Sequence, residues 1–288
     1  MQLSGFDGRA AFVTGAAGGI GLALVAQLRA AGARVTATDT GEAIDQARAA
    51  GRVIEDAQTQ WRALDLRDGA AVTASVAAAR AAFGPITLAV HAAGVLSTLP
   101  VRDLTEADWQ RVMDINAGGT FRIGQALGGE MAEQGGGALV VISSNAAGIP
   151  RMNMAAYAAS KAAATMFTRC LGLELAAQGV RCNIIAPGST MTPMQTGMWA
   201  DESGGAAVIA GNLAQHRTGI PLGKIATPEE VAQAAANLDR RMAVVGEGED
   251  PAGAAILPLV ADTGEQPRIA DPDLDLAADL PGQRDRGI

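Results

Sequence analysis

Short runs of continuously apolar or β-branched residues recur along the chain at 10–14, 34–38, 61–64, 86–91, 138–142 and 181–185. Longer stretches with helical spacing separate them, among them 19–31, 68–82, 106–133 and 155–177. A strand with one wet face alternates apolar and polar side chains, whereas a strand buried on both faces of a parallel sheet reads as an unbroken apolar run. Parallel neighbours also need a crossover between them, usually a helix. The pattern therefore predicts an α/β chain with a doubly wound parallel sheet of six strands. Glycines at 32, 51, 84 and 179 follow helical stretches, where a left-handed cap is expected.

One domain is expected over residues 1–238. Within it, 188–223 is too long for an ordinary connection and reads as a substrate loop. Residues 239–288 turn to Gly, Pro and acids and read as a divergent, partly disordered tail, although 254–260 has the makings of an apolar element.

Composition narrows the function. The formal net charge of −8 argues against nucleic acid, whose non-specific binding depends on Lys and Arg. No apolar run reaches the ~18 residues of a membrane span, and the opening MQLSGFDGR lacks the apolar block of a signal peptide. Two cysteines and two histidines make neither a disulfide scaffold nor much of a metal site, so a reducing cytoplasm and no metal are expected. There is a single tyrosine, so any chemistry requiring one falls on Tyr157.

Thr14-Gly15-Ala16-Ala17-Gly18-Gly19-Ile20-Gly21 closes the first strand and opens the first helix. This is the setting of a dinucleotide-binding turn of Rossmann type: glycines permit the turn and a close approach of pyrophosphate, and the helix N-terminus holds the anion. The spacing is T-G-x-x-x-G-I-G, not G-x-G-x-x-G. Asp39 ends the second strand about 20 residues on, where an acid bonds the adenosine ribose hydroxyls. Its charge opposes a 2′-phosphate and no arginine follows it immediately, so NAD is expected over NADP. Asp65 ends the third strand; it either meets the adenine edge or caps the next helix with Leu66-Arg67-Asp68.

Tyr157 and Lys161 lie four apart in an Ala-rich helix and so share a face. A phenol is a poor base at neutral pH unless a cation such as Lys161 stabilises its phenolate. Ser144 closes the fifth strand thirteen residues earlier, at the edge where doubly wound sheets bind ligands.

These residues resemble those of the short-chain dehydrogenases/reductases over nearly all of residues 1–238. The matching elements are the TGAAGGIG turn, His91-Ala92-Ala93-Gly94, Asn116, Ser144, the YxxxK pair and Pro187-Gly188 with Thr192. Within that family the chain is similar to the NAD-dependent dehydrogenases of 2,3-dihydro-2,3-dihydroxybenzoate in catechol siderophore pathways. That likeness rests on Ile149-Pro150-Arg151-Met152-Asn153-Met154, on Gly179-Val180-Arg181-Cys182-Asn183, on Pro187-Gly188-Ser189-Thr190 with Met194-Gln195 and Trp199, and on Gly219-Ile220-Pro221-Leu222-Gly223-Lys224-Ile225.

The resemblance implies that Tyr157 is the general base, that Lys161 holds the cofactor ribose and lowers the phenol pKa, and that Ser144 bonds the same substrate oxygen. It implies that Asn116 interrupts a helix near residues 113–119 and positions a water leading from Lys161 to solvent. It places Gly15, Gly19, Ile20, Gly21, Asp39, Asp65, Leu66, Ala93, Gly94, Pro187, Gly188, Thr190 and Thr192 around NAD, the two threonines at the carboxamide. Oxidation of the ring diol would be drawn forward by tautomerisation to a catechol. Arg151, in a loop expected at the pocket mouth, suits the substrate's carboxylate because a guanidinium bonds it two-pronged, with Gln195 supplementing it.

The chain departs from that pattern in two places. His91 stands where the family has asparagine, and a structural role is expected for it. The family's C-terminal strand ends in Asp-Gly-Gly and helps to build a tetramer; residues 256–262 echo only what precedes that motif. A homo-oligomer, dimer or tetramer, is expected unless the altered C-terminus prevents it. Competing readings are a ketone or 3-oxoacyl reductase, a dehydrogenase of the amino analogue, and a cofactor-binding protein damaged at its C-terminus.

Overall fold

The computed structural model describes residues 5–240 and 256–258. The chain runs β1 (Ala10–Thr14), α1 (Gly19–Ala30), β2 (Arg34–Asp39), α2 (Gly41–Ala49), β3 (Thr59–Ala63), α3 (Gly69–Phe83) and β4 (Ile86–His91). It continues with α4 (Glu106–Met113), α5 (Gly119–Glu133), β5 (Gly137–Ile142), α6 (Ala155–Leu175) and β6 (Val180–Ala186). The short helices α7 (Pro193–Thr196) and α8 (Gly204–Ala210) then lead to α9 (Pro228–Arg240) and β7 (Ile256–Pro258). All strands pair in parallel, in the order β3-β2-β1-β4-β5-β6-β7. This is the doubly wound sheet expected from the apolar runs, and its order reverses between β1 and β4.

Apolar side chains fill both faces. Val13, Leu24, Val35, Leu88, Val140 and Ile185 pack on one side with α1 and α9. Phe12, Val76, Ile123, Leu127, Leu139 and Cys182 pack on the other with α3 and α5. Glycine caps behave as expected: Gly32, Gly51, Gly84 and Gly179 all take positive φ. Among the described residues, no helix is long and apolar enough to cross a membrane.

Three boundaries differ from expectation. β3 starts at Thr59, not at residue 61, because an edge strand needs pairing more than apolar cover. Its register against β2 begins at Val35↔Thr59, and Gln60 Nε2 donates to Thr36 Oγ1 at 2.8 Å. The long helical stretch 106–133 breaks into α4, a π-turn at Asp114–Gly118 and α5, as the interruption at Asn116 predicts. The domain edge at 238 falls inside α9, and from beyond it β7 pairs with β6 at Ile184↔Ile256 through Ala186↔Pro258. Among the described residues the sheet therefore has seven strands, and proline at the outermost of these is compatible with an edge. The rest of the expected tail lies outside the described residues.

His91 ends β4 opposite the end of β1, and its Nδ1 lies 2.7 Å from Thr14 Oγ1. The side chain thus bonds the neighbouring strand. Its Nε2 is buried without a partner, and burial, aided by the charge of Lys161, pushes the imidazole down to about 3. An unfolded histidine titrates near 6.5. Between those values the unfolded chain binds the extra proton, so this group's stabilisation is complete above pH 6.5 and is lost as pH falls towards 3. The slope is at most about 1.4 kcal/mol per pH unit. His91→Asn should therefore flatten the decline of unfolding free energy between pH 6.5 and 4, measured by urea titration, relative to the unmodified chain. Identical slopes for the two proteins would contradict the buried neutral imidazole.

Candidate active site

A cavity of about 610 Å³ opens along the carboxyl ends of the strands, from the Gly-rich turn after β1 to Tyr157 on α6. It lies where the strand order reverses, the position at which open α/β sheets take ligands. The turn after β1 is built by close backbone approaches. Gly15 has φ +65°, and a Cβ there would lie 2.5 Å from the backbone of Ala93; a Cβ on Gly21 would lie 2.0 Å from the Gly15 carbonyl oxygen. α1 opens at Gly18 with no side-chain cap and no acid in its first turn. Its first amides lack helical partners, which is the donor set a pyrophosphate requires. The cradle therefore fits a dinucleotide.

Asp39 sits beside this turn. Its carboxylate accepts from Ala17 N at 3.0 Å and from Thr40 N at 2.8 Å, and burial raises its pKa against the pull of both amides. Asp65 and Leu66 line the same end of the cavity. Of the two readings of Asp65, the capping one fails: Asp68 caps α3, accepting from Ala71 N at 3.0 Å. Asp65 is instead paired with Arg67 at 2.6 Å, which holds its carboxyl below the usual range.

Ser143 and Ser144 at the end of β5 divide two tasks. Ser143 Oγ lies 2.6 Å from Thr165 Oγ1 and donates to the Lys161 carbonyl, tying β5 to α6. Ser144 faces the cavity, its Oγ accepting from Ala146 N at 3.1 Å, and lies near enough to the Tyr157 hydroxyl to bear on its pKa. Lys161, one helical turn from Tyr157, donates from Nζ to Ile142 O at 2.9 Å and lies 5.9 Å from the phenol ring centroid. Ser144, Tyr157 and Lys161 are all buried. Burial lowers Lys161 to about 8 and raises the Tyr157 phenol, with the nearby Ser144 hydroxyl opposing that rise. The expected lowering of the phenol by Lys161 is thus not what this arrangement produces: desolvation dominates, and the ammonium is directed at a main-chain oxygen.

Asn116 sits in the π-turn and is buried. Its Oδ1 accepts from Val95 N at 2.8 Å, and its Nδ2 donates to Val95 O and to Ser160 Oγ, each at 2.9 Å. The side chain therefore fastens the segment after β4 to α6, next to Lys161.

Ile20, Ala93, Gly94, Pro187, Gly188 and Thr190 line the cavity, as do Thr192, Arg151 and Gln195. A Cβ on Gly19 would come within 2.8 Å of the Thr192 side chain, so the loop after β6 folds back onto the Gly-rich turn. The cavity thus gathers every expected site residue except Asn116, which is absent from its lining, and the long connection 188–223 carries α7 and α8. Arg52, Met154, Met198 and Arg217 also line it and were not foreseen. Met154 ends the quoted 149–154 motif, whereas Arg52, Met198 and Arg217 belong to no local pattern and are brought there by the fold.

A family model described as short chain dehydrogenase matches residues 9–203. The chain belongs to the short-chain dehydrogenases. Among its relatives in that family, the 2,3-dihydro-2,3-dihydroxybenzoate dehydrogenase of Bacillus subtilis is 42% identical over 239 residues, covering 81% of this chain and 90% of that protein. The Escherichia coli protein of the same name is 39% identical over 227 residues, covering 79% and 88%. The crystal structure of a 3-ketoacyl-(acyl-carrier-protein) reductase from Brucella melitensis, complexed with NADH, matches with a TM-score of 0.73 at 25% identity, covering 88% of this chain and 98% of that one.

The glycine turn of this short-chain dehydrogenase leaves no room for a side chain at Gly21. Gly21→Ala should force the turn open, at a cost of about 1–3 kcal/mol for overpacking. NADH affinity should fall roughly tenfold or more if that cost lands on the cradle, since 1.4 kcal/mol is tenfold. Fluorescence titration with NADH and a melting curve check this; a variant that matches the parent in both would mean the turn is not held as described.

Proposed function

We propose that this short-chain dehydrogenase oxidises a cyclic dihydrodiol carboxylate, 2,3-dihydro-2,3-dihydroxybenzoate, to the catechol 2,3-dihydroxybenzoate with NAD, in catechol siderophore formation. The observation that carries the reading is the buried Ser144–Tyr157–Lys161 cluster on the same cavity wall as the glycine cradle, in a chain whose relatives bear that enzyme name. Tyr157 takes the carbinol proton as the C–H bond breaks, and Ser144 holds the same oxygen. NAD, when bound, supplies the acceptor for the departing hydride. Lys161 places a cation beside the phenol and the ribose, and Asn116 secures the segment behind it. Gly15, Gly19, Ile20 and Gly21 take the pyrophosphate, Asp39 the adenosine ribose, with Asp65 and Leu66 beside the base. Ala93, Gly94, Pro187, Gly188, Thr190 and Thr192 flank the nicotinamide end. Arg151 and Gln195 face the substrate. Loss of the carbinol hydrogen gives a ketone that tautomerises to an aromatic ring, which draws the oxidation forward.

Self-association fits the same reading. Met166, Cys170 and Leu173 recur at helical spacing on the exposed side of α6, and the exposed Phe121 of α5 meets Phe167 edge-on at 5.7 Å. This apolar surface supports a homo-oligomer.

NADH formation from 2,3-dihydro-2,3-dihydroxybenzoate tests the proposal. Tyr157→Phe should slow it by roughly 10²–10⁴, the usual cost of losing a general base, while NADH still binds. Because burial raises the phenol, kcat/KM of the unmodified enzyme should rise as pH increases above neutrality. No activity in the unmodified chain, or full activity in Tyr157→Phe, would overturn the assignment. Asp39→Ala should shift the NAD:NADP ratio of kcat/KM towards NADP; an unchanged ratio would take Asp39 out of the cofactor site.

A further inference from the structure

Arg151 reaches the cavity from the segment between β5 and α6, and Arg217 from the segment after β6. Both are half-buried, and neither guanidinium has a hydrogen bond or an ion pair with any described residue. They are near enough that the charge of Arg217 bears on Arg151, and that repulsion adds to burial in pulling the Arg151 guanidinium below its ordinary value. Arginine does not escape such a site by giving up its proton. A half-buried pair of like charges without a counter-ion is unfavourable until an anion joins it.

The cavity supplies no such anion of its own. Among the described residues that line it, the carboxylates are Asp39 and Asp65, at the ends of β2 and β3. Asp39 is held by two amides and Asp65 by Arg67. The arginines stand on the other side of the strand-order reversal, beside β5 and β6. Arg217 is also held in place. Its N donates to Asn212 O and its carbonyl accepts from Asn212 N, both at 2.9 Å, with His216 at φ +50° completing the tight turn. Ile220 N donates to Ile209 O at 2.8 Å, closing the base of that turn against α8. A side chain on a closed turn loses less freedom on binding than one on an open loop.

We propose that Arg217 is a substrate-specificity residue that, with Arg151, clamps the ring carboxylate, one guanidinium from each side of the cavity. The proposal rests on the dihydrodiol-acid reading of the site and adds the group that selects an acid over a neutral diol. Two planar forks match the two oxygens of one carboxylate, and with the acid fixed at the mouth the ring carbinol is left for Ser144 and Tyr157. Nothing in the sequence around residue 217 signals this role, which depends on the turn at 212–217 facing Arg151.

The test is equilibrium binding of two probes, 2,3-dihydroxybenzoate and uncharged catechol, to the full chain in the presence of NADH. The unmodified enzyme should prefer the acid. Arg217→Ala should weaken the acid about ten- to a hundredfold, the range for a charge-assisted bond, and weaken catechol much less. Arg217→Lys should keep part of the preference, because it restores charge without the fork. In Arg151→Ala/Arg217→Ala the losses should combine non-additively, as they do for residues sharing one partner. Absence of any preference for the acid in the parent, an Arg217→Ala variant with the parent's preference, or equal loss of both probes would each overturn the clamp. Failure of the clamp and failure of the reaction are separable. A parent that oxidises the dihydrodiol acid while Arg217→Ala keeps the full acid preference sinks the clamp alone. A parent that does not oxidise it, yet prefers the acid through both arginines, sinks the reaction alone.

Discussion

Where the chain leaves β1, the backbone of Gly15 comes so near that of Ala93 that a Cβ would sit 2.5 Å away. β1 and β4 lie side by side at the reversal of strand order, and the two loops leaving them must diverge to opposite sides of the sheet. That shared backbone contact sets the width of the crevice. On one side it fixes the amides of the glycine turn and the Ala17 N–H that holds Asp39. On the other it leads through Gly94 to Val95, which both edges of the Asn116 amide grip. The cofactor cradle and the segment behind Lys161 are therefore positioned by one contact, which only glycine at residue 15 allows.

Around that contact the protein buries ionisable groups where stability alone would exclude them. Lys161, Tyr157 and His91 all lie within the same desolvated region, and burial is the leading cause of each shift. The charge of Lys161 further disfavours a proton on His91, so the imidazole can serve as a neutral partner for Thr14 while the ammonium remains the single cation of the group. A phenol raised above its ordinary value is a weaker acid and, once ionised, a stronger base. The environment thus trades the fraction of phenolate against its basicity, and the nearby Ser144 hydroxyl partly restores that fraction.

How much of this was legible in the sequence follows from the range over which each signal acts. The strands were legible because burial on both faces leaves an unbroken apolar run, and β1, β4, β5 and β6 fall within a residue of expectation at each end. The glycine turn and the Tyr157–Lys161 pair were legible because strand end, turn and helix start are adjacent in the chain. β3 was misplaced because an edge strand is specified by backbone pairing, to which Thr59 and Gln60 contribute as well as Trp61 does. Asp65 was ambiguous because its partner, Arg67, and the true cap, Asp68, are both close in sequence, and only geometry distributes the roles. The rise of the phenol pKa was hidden because desolvation is a property of the packed cavity, whereas the lysine four residues away is visible at once. Arg217 was hidden for the same reason, being far in sequence from everything it faces.

Arg151 and Arg217 also resolve an apparent conflict between the protein's charge and its proposed substrate. A chain with net charge −8 should repel an anion at long range. At physiological ionic strength, however, the Debye length is about 8 Å, so exposed acids across the surface contribute little inside the crevice. What the substrate meets there is set by the nearest unscreened charges. At the β5–β6 end those are Arg151 and Arg217, half-buried and without counter-ions among the described residues. At the β2–β3 end it is Asp39, which opposes a phosphate on the ribose. The charges that face the cavity are thus set locally, by Asp39 beside the glycine turn and by the two arginines at the far end, with Asp65 already paired to Arg67. In the proposed arrangement a dinucleotide would enter with its ribose hydroxyls towards the carboxylate, and a ring acid with its carboxylate towards the guanidiniums, leaving the carbinol to face the cofactor at Tyr157.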